Sequence, residues 1–386
     1  MKALSARTAT FTDSVIRRMT RISLKYGAVN LSQGFPDFDP PKALTDALKT
    51  VAETGPHQYA VTWGAQNFRE ALAAKQRLFM GMDIDPDKEI VVTCGSTEAM
   101  MCAMMTVTDP GDRVIVFSPF YENYAADAVL CGAEPIYVPL NPPDFGFDPN
   151  VLEDAFRGGA KALVLCNPSN PCGKVFTEEE LIFIAELAEK YDSYVITDEV
   201  YEHIVYAPSR HIYFASLPRM RERTISCSSL SKTYSVTGWR LGYIIASPEI
   251  IETARKVHDF LTVGAAAPLM EAALAGLTLG PDYYRELQDT YTAKRQMFLK
   301  GLDTLGIKHT NPQGAYYVLL DISEYGYEDD LLFCEEMAEK VGVGAVPGSS
   351  FFKEPVNHLI RLHFAKQEST LAEALNRLEK LRTLKR

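Results

Sequence analysis

The chain reads as an α/β protein. It is expected to hold one large domain, with a mostly parallel seven-stranded sheet sandwiched by helices, and a second, smaller α/β domain. Three observations predict this. Short apolar, β-branched runs alternate with longer helix-like stretches through the middle of the chain, the pattern of a parallel sheet covered on both faces. The pattern changes near residue 285, where a long charged helix begins. At 386 residues, with 47% hydrophobic and 23% charged side chains, the chain is long enough for two ordinary globular domains.

The expected strands of the large sheet are residues 89–93, 113–117, 135–138, 162–165, 194–197, 224–226 and 243–246. An amphipathic helix at 178–190 separates the fourth from the fifth. In sheets of this kind ligands bind beyond the carboxyl ends of the strands, so residues that follow each strand are the ones to weigh for chemistry. Beyond the change of pattern come a helix at 284–305, an alternating strand at 315–320, a helix at 329–340, a strand at 359–364 and a last helix at 371–381. The expected large domain is 39–287, and the small one joins 1–38 to 288–386.

Composition excludes several classes of function. A net charge of -11 argues against nucleic acid, which requires a clustered positive surface. No run approaches the ~20 apolar residues that span a bilayer. Residues 1–7 lack the apolar core of a signal peptide. The seven cysteines form no CxxC pair and sit mostly in apolar runs, as small buried hydrophobes do, which fits a reducing cytoplasm. The seven histidines show no metal-ligand spacing, and no catalytic metal is expected. The glycine-rich run 342–348 does not match GxGxxG and reads as a turn.

Six motifs remain, five of them following expected strands. After 89–93 comes Gly95-Ser96-Thr97-Glu98, then an Ala/Met-rich helical run. The exposed N–H groups of that helix start could receive a phosphate, although a capping serine in an ordinary turn accounts for the same residues. After 113–117 comes Tyr121, an aromatic that could stack on a flat ring or simply pack. After 162–165, two Asn-Pro steps bracket Ser169 and present Asn170. After 194–197 comes Asp198-Glu199-Val200-Tyr201. A carboxylate closing an apolar strand needs a compensating cation or donor; a protonated pyridine nitrogen and helix-start N–H groups both qualify. After 224–226, Lys232 lies among small hydroxyl residues, and Arg240 follows eight positions later. A lysine amine there can hold an aldehyde cofactor as a Schiff base, and pyridoxal 5′-phosphate is the commonest such partner. Finally, Arg361 sits inside the apolar strand 359–364 and needs an anion, either a substrate carboxylate or an internal acid.

Taken in order, Asn170, Asp198, Tyr201, Lys232, Arg240 and Arg361 resemble the site residues of fold-type I, class I/II pyridoxal-phosphate-dependent aminotransferases. The branch of kynurenine, glutamine and methionine aminotransferases is the most similar. The resemblance spans nearly the whole chain. It begins at Asn30-Leu31-Ser32-Gln33-Gly34-Phe35-Pro36-Asp37-Phe38 and runs through His57-Gln58-Tyr59 to Pro347-Gly348-Ser349-Ser350-Phe351.

It implies that Lys232 binds the cofactor covalently and then shuttles the proton between substrate and cofactor. It further implies that Asp198 keeps the ring nitrogen protonated, that Asn170 and Tyr201 bond the phenolic oxygen, and that Tyr121 stacks on the ring. Ser96, Thr97, Ser229 and Arg240 would bind the phosphate, joined by Tyr59 from a second subunit of a homodimer with shared sites. Arg361 would hold the substrate carboxylate, with Asn170 and the Gly34 N–H.

The implied reaction is ping-pong transfer of an amino group from an L-amino acid to a 2-oxo acid, with 2-oxoglutarate expected as acceptor. A cysteine-conjugate β-lyase is the alternative, and a cofactor-binding regulatory protein a remote one. The last would need a DNA-binding domain ahead of the aminotransferase-like part; with the resemblance starting at Asn30 and the chain acidic, none is expected. One departure stands out. Relatives of the kynurenine type carry a tryptophan in the first helix, where this chain places Ile16. That shifts the expectation toward aliphatic donors such as methionine, glutamine or alanine.

Overall fold

The computed structural model describes residues 4–9, 11 and 13–386. The first three residues of the N-terminal stretch tested for a signal peptide therefore lie outside the described residues.

The large sheet holds, in spatial order, Ile90–Thr93, Gly242–Ile245, Thr224–Ser229, Tyr194–Asp198, Ala160–Cys166, Arg113–Ser118, Glu134–Asn141 and Gly146–Phe147. All seven expected strands are present. The eighth, Gly146–Phe147, has two residues, too few to show a period in sequence. Five central strands run parallel. Gly242–Ile245 is antiparallel to both of its neighbours.

Alternation along each strand decides which face a residue meets. Val195 packs with Leu181, Ile184 and Leu187 of the helix Glu178–Lys190. Ile196 points to the other face, with Met100, Ala103 and Ile225. Asp198, two residues on, shares the face of Ile196 at the carboxyl end of the strand. The helix Glu178–Lys190 has the expected bounds because Thr177 and Glu180 close a reciprocal capping box at its start.

The smaller sheet is antiparallel, in the order Tyr317–Asp321, Leu359–His363, Val346–Pro347. Its core joins Phe298, Leu302, Val318, Ile360 and Leu362 to Met19 and Leu31 of the N-terminal segment. Val29–Asn30 pairs in parallel with Val343–Gly344. The helix expected at 329–340 begins as Asp330–Glu336 and widens over Met337–Val341 into a looser turn, which ends at the left-handed Gly342 (φ 83°).

Candidate active site

A cleft of about 820 Å³ opens at the carboxyl ends of the central strands. It is lined by Ser96, Thr97, Tyr121, Asn170, Asp198, Tyr201, Lys232, Arg240, Gly34 and Arg361, ten of the twelve residues singled out from the sequence.

Lys232 lies on a short helix, Leu230–Thr233, that follows the strand Thr224–Ser229. Its Nζ donates to the Gly34 carbonyl (3.2 Å) and lies 5.9 Å from the centre of the Tyr316 ring. Burial brings the Lys232 ammonium down to about 8. Asp198 opposes that shift, while Arg240 and Arg361 add to it. The amine is therefore a usable nucleophile and base near neutral pH.

Asp198 is buried, and burial raises its carboxyl pKa. Tyr124 Oη donates to Asp198 Oδ2 (2.7 Å), and the Val200 N–H donates to Oδ1 (3.3 Å). These two neutral donors compensate the desolvated carboxylate only in part, and a cation facing it would complete the balance. The Tyr201 hydroxyl meets that of Tyr317 (2.9 Å).

Arg361 is 1% exposed. Its Nη1 donates to Asn170 Oδ1 (2.7 Å) and its Nη2 to the Ser32 carbonyl (2.8 Å), while its Nε has no partner. The Tyr317 and Phe351 rings lie 4.3 and 4.5 Å from its guanidinium carbon. Among the described residues no carboxylate pairs with it, so the internal acid that the sequence left open is not there.

At the other end of the cleft, the helix Ser96–Val107 starts from Gly95, with no side-chain cap on its first N–H groups. A Cβ on Gly95 would come within 2.3 Å of Arg240 Nη2, and one on Gly242 within 2.6 Å of the Ser96 nitrogen. Both glycines keep this corner clear, and φ at Gly95 is 83°. Arg240 is itself left-handed (φ 52°), and its Nη1 donates to the Thr237 carbonyl.

Two expected residues stand apart from the cleft. Ser229 is 3% exposed, and its hydroxyl accepts the Ser231 N–H as the cap of the lysine helix; Ser231, unmarked in the sequence reading, is the serine that lines the cleft. Tyr59 is 89% exposed and is not among the residues that line the cleft of its own chain. Gly34 contributes its carbonyl, which accepts from Lys232 and from Tyr316 Oη.

Sequence reasoning missed Tyr124 and Tyr317. Tyr124 lies one helical turn beyond Tyr121 in the same motif, so spacing could have flagged it. Tyr317 is opposite His363 while Arg361 is opposite Leu319, which makes Tyr317 and Arg361 diagonal neighbours on one face. That relation needs the strand register. The first helix, Val15–Lys25, adds Ile16 and Arg17 to the cleft wall.

An accessible amine, a buried acid short of a cation, an uncapped helix start with an arginine, and a guanidinium with a free N–H fit the aldehyde, ring nitrogen and phosphate of pyridoxal 5′-phosphate and the carboxylate of an amino acid. Fold and site together define a pyridoxal-phosphate-dependent enzyme of amino-acid chemistry. The family model for aminotransferase class I and II matches residues 26–378. The solved N-succinyldiaminopimelate aminotransferase of Mycobacterium tuberculosis superposes with a TM-score of 0.94 at 36% identity, covering 98% of this chain and 100% of that one. The methionine aminotransferase of Escherichia coli is 36% identical over 95% of this chain and 96% of its own, and its structure also superposes with a TM-score of 0.94. Human kynurenine–oxoglutarate transaminase 1 is 33% identical over 93% of this chain and 94% of its own. The chain belongs to the class I and II aminotransferases, in the kynurenine/methionine-like branch. It is an enzyme that uses pyridoxal 5′-phosphate to move amino groups between amino acids and 2-oxo acids.

Proposed function

We propose that Lys232 is the catalytic base of this transamination and Arg361 the anchor of the substrate α-carboxylate. The observation that carries the reading is the fully buried Arg361. Among the described residues it has no acidic partner, and it keeps a free Nε in the same cleft as the depressed lysine amine. Bound pyridoxal phosphate supplies an aldehyde that takes up amines and a ring that accepts the electrons released when Cα loses its proton. Lys232 Nζ would take that proton from the substrate Cα and, as an ammonium, deliver it to the cofactor's former aldehyde carbon. Asp198, braced by Tyr124, holds a proton on the ring nitrogen. Asn170 and Tyr201 would hydrogen-bond the ring's oxygen substituent, and Tyr121 would pack against the ring. Ser96, Thr97 and Arg240 hold the phosphate, and Ser229 supports them by capping the lysine helix.

For substrates, we propose an aliphatic amino donor and 2-oxoglutarate as acceptor. Ile16, 9% exposed, offers an apolar wall. Arg17 lines the same cleft, and among the described residues no carboxylate pairs with it, whereas Arg18 and Arg21 of that helix pair with Glu335 and Asp13. A second carboxylate on the acceptor suits that cation. We further propose a homodimer with shared sites, seated on Tyr59, Phe260 and their neighbours, with residues 39–287 as the large unit and 1–38 plus 288–386 as the small one. A cytoplasmic location is supported by seven unpaired cysteines. The test is a panel of amino donors with 2-oxoglutarate, run on wild type and Arg17→Gln. The variant should raise KM for 2-oxoglutarate up to about fivefold, the loss of one exposed ion pair of ~1 kcal/mol, while donor kcat/KM stays put. Equal effects on donor and acceptor would remove Arg17 from acceptor recognition.

A further inference from the structure

In the wall of the cleft, beside Ser96 and Thr97, Glu98 forms a buried pair with His258 that the reaction does not use. Glu98 is in the first turn of the helix Ser96–Val107, immediately after Ser96 and Thr97. Its carboxylate is 9% exposed and collects three donors: His258 Nδ1–H onto Oε1 (2.6 Å), Thr262 Oγ1–H onto Oε1 (2.9 Å) and the Cys94 N–H onto Oε2 (2.5 Å). His258, 0% exposed, donates through its other nitrogen to the Thr62 carbonyl (2.9 Å). Both ring nitrogens thus face acceptor oxygens, with the Thr262 hydroxyl a further 3.3 Å from Nδ1, and against burial the bonded Glu98 carboxylate raises the ring's pKa, which favours the imidazolium.

An acid in a first helical turn is ordinarily favoured by the helix dipole. Here that turn also has to receive a phosphate, and a bare carboxylate beside it would repel the dianion. We propose that His258 is the positioning residue that neutralises Glu98, so that the Ser96–Thr97 turn keeps its affinity for the cofactor phosphate. The geometry explains why the carboxylate is retained at all. It ties three segments into one corner: the phosphate turn through Cys94, the helix Pro248–Thr262 through His258 and Thr262, and the Tyr59–Thr62 segment through the Thr62 carbonyl. The groups facing the imidazolium are Glu98, Thr62, Thr262 and, next to it in sequence, Asp259, whose Oδ1 lies 3.5 Å from Thr62 Oγ1. Glu98 is the one bonded to it as a charge partner.

The proposal rests on the Ser96–Thr97 turn being the phosphate site, and its test separates the two ideas. Apoprotein of wild type, Glu98→Gln, His258→Gln and the double variant is titrated with pyridoxal phosphate and, in parallel, with pyridoxal, which lacks the phosphate. His258→Gln exposes the phosphate to an uncompensated charge and should weaken pyridoxal phosphate about 10- to 100-fold while changing pyridoxal less than about threefold. Glu98→Gln should bind both within about threefold of wild type, and the double variant should return close to wild type, because removing both charges restores the balance. A double variant as weak as His258→Gln, or equal losses for pyridoxal and its phosphate, overturns the proposal in favour of a plain structural role. If His258→Gln does not fold, Glu98→Gln alone decides: a tenfold loss of pyridoxal phosphate affinity refutes charge compensation. Ser96→Ala with Thr97→Val checks the phosphate site itself. No loss there sinks both ideas, and a loss there without one in His258→Gln sinks only this proposal.

Discussion

Lys232 and Arg361 are the residues whose surroundings make the sharpest predictions. In the cofactor-free protein, burial and the two nearby arginines push the Lys232 ammonium down to about 8, against an ordinary value of 10.5. The sign is clear: the neutral, nucleophilic amine prevails above about pH 8, and protonation silences it below. Capture of pyridoxal phosphate by apoprotein, followed by absorbance in a stopped-flow instrument, should accelerate as pH rises through about 8 and then level. Asp198→Asn removes the group that favours the ammonium and should move that midpoint down. A midpoint that stays near 10.5 in wild type would show the amine to be solvated. For Arg361, replacement by leucine leaves a substrate carboxylate without its bidentate partner. The cost of breaking such a buried charged contact, about 2–5 kcal/mol, corresponds to a kcat/KM lower by roughly 30-fold to a few thousand-fold. Arg361→Lys should recover only part, since the fork geometry is lost. A variant that keeps wild-type kcat/KM would show that the carboxylate binds elsewhere.

At the scale of elements, the strands of the sheet were legible because a buried parallel strand writes itself as a short apolar, β-branched run, and motif residues fall at the ends of those runs. The position of Asp198 at the cleft could be placed for the same reason. What stayed hidden depends on register or on distance. The strand Gly146–Phe147 is too short for periodicity, and the diagonal pairing of Tyr317 with Arg361 exists only once two strands are aligned. Lys75 and Glu202 are 127 residues apart in sequence, yet they meet at 2.8 Å with side chains 3% and 1% exposed. Tyr213, Tyr243 and Gln76 complete the ring of donors to Glu202. This buried network fastens the helix Gln66–Met80 to the segment just after Asp198. Breaking a buried pair from one side strands the other charge, so Lys75→Met should destabilise the protein by about 3–5 kcal/mol. Chemical denaturation reads this as a lower midpoint, and Lys75→Met with Glu202→Gln should recover much of it. An unchanged midpoint for the single variant would mean that the pair adds nothing to stability.

At the scale of the molecule, the cleft was legible in outline because its parts come from strand ends scattered along one chain and still converge on a single opening. A second copy leaves no periodicity in sequence; the family resemblance implies one through Tyr59, and the pattern of exposure supports it. Tyr59 is 89% exposed, Phe260 92%, Val263 52% and Val61 49%, on two segments joined by the His258–Thr62 bond. Large apolar side chains grouped beside a functional cleft are what an interface between subunits leaves uncovered in one chain. If a partner's Tyr59 completes the phosphate end of each site, assembly and cofactor retention are linked. Phe260→Glu places a charge in the middle of that surface. It should shift sedimentation velocity from dimer toward monomer at micromolar concentration, and the monomer fraction should release pyridoxal phosphate faster than wild type. Tyr59→Phe should leave the dimer intact and weaken only cofactor retention, by severalfold, the net value of about 1 kcal/mol for one hydrogen bond. A Phe260→Glu protein that stays dimeric, or a monomer that holds the cofactor as tightly as the parent, would disconnect this surface from the active site.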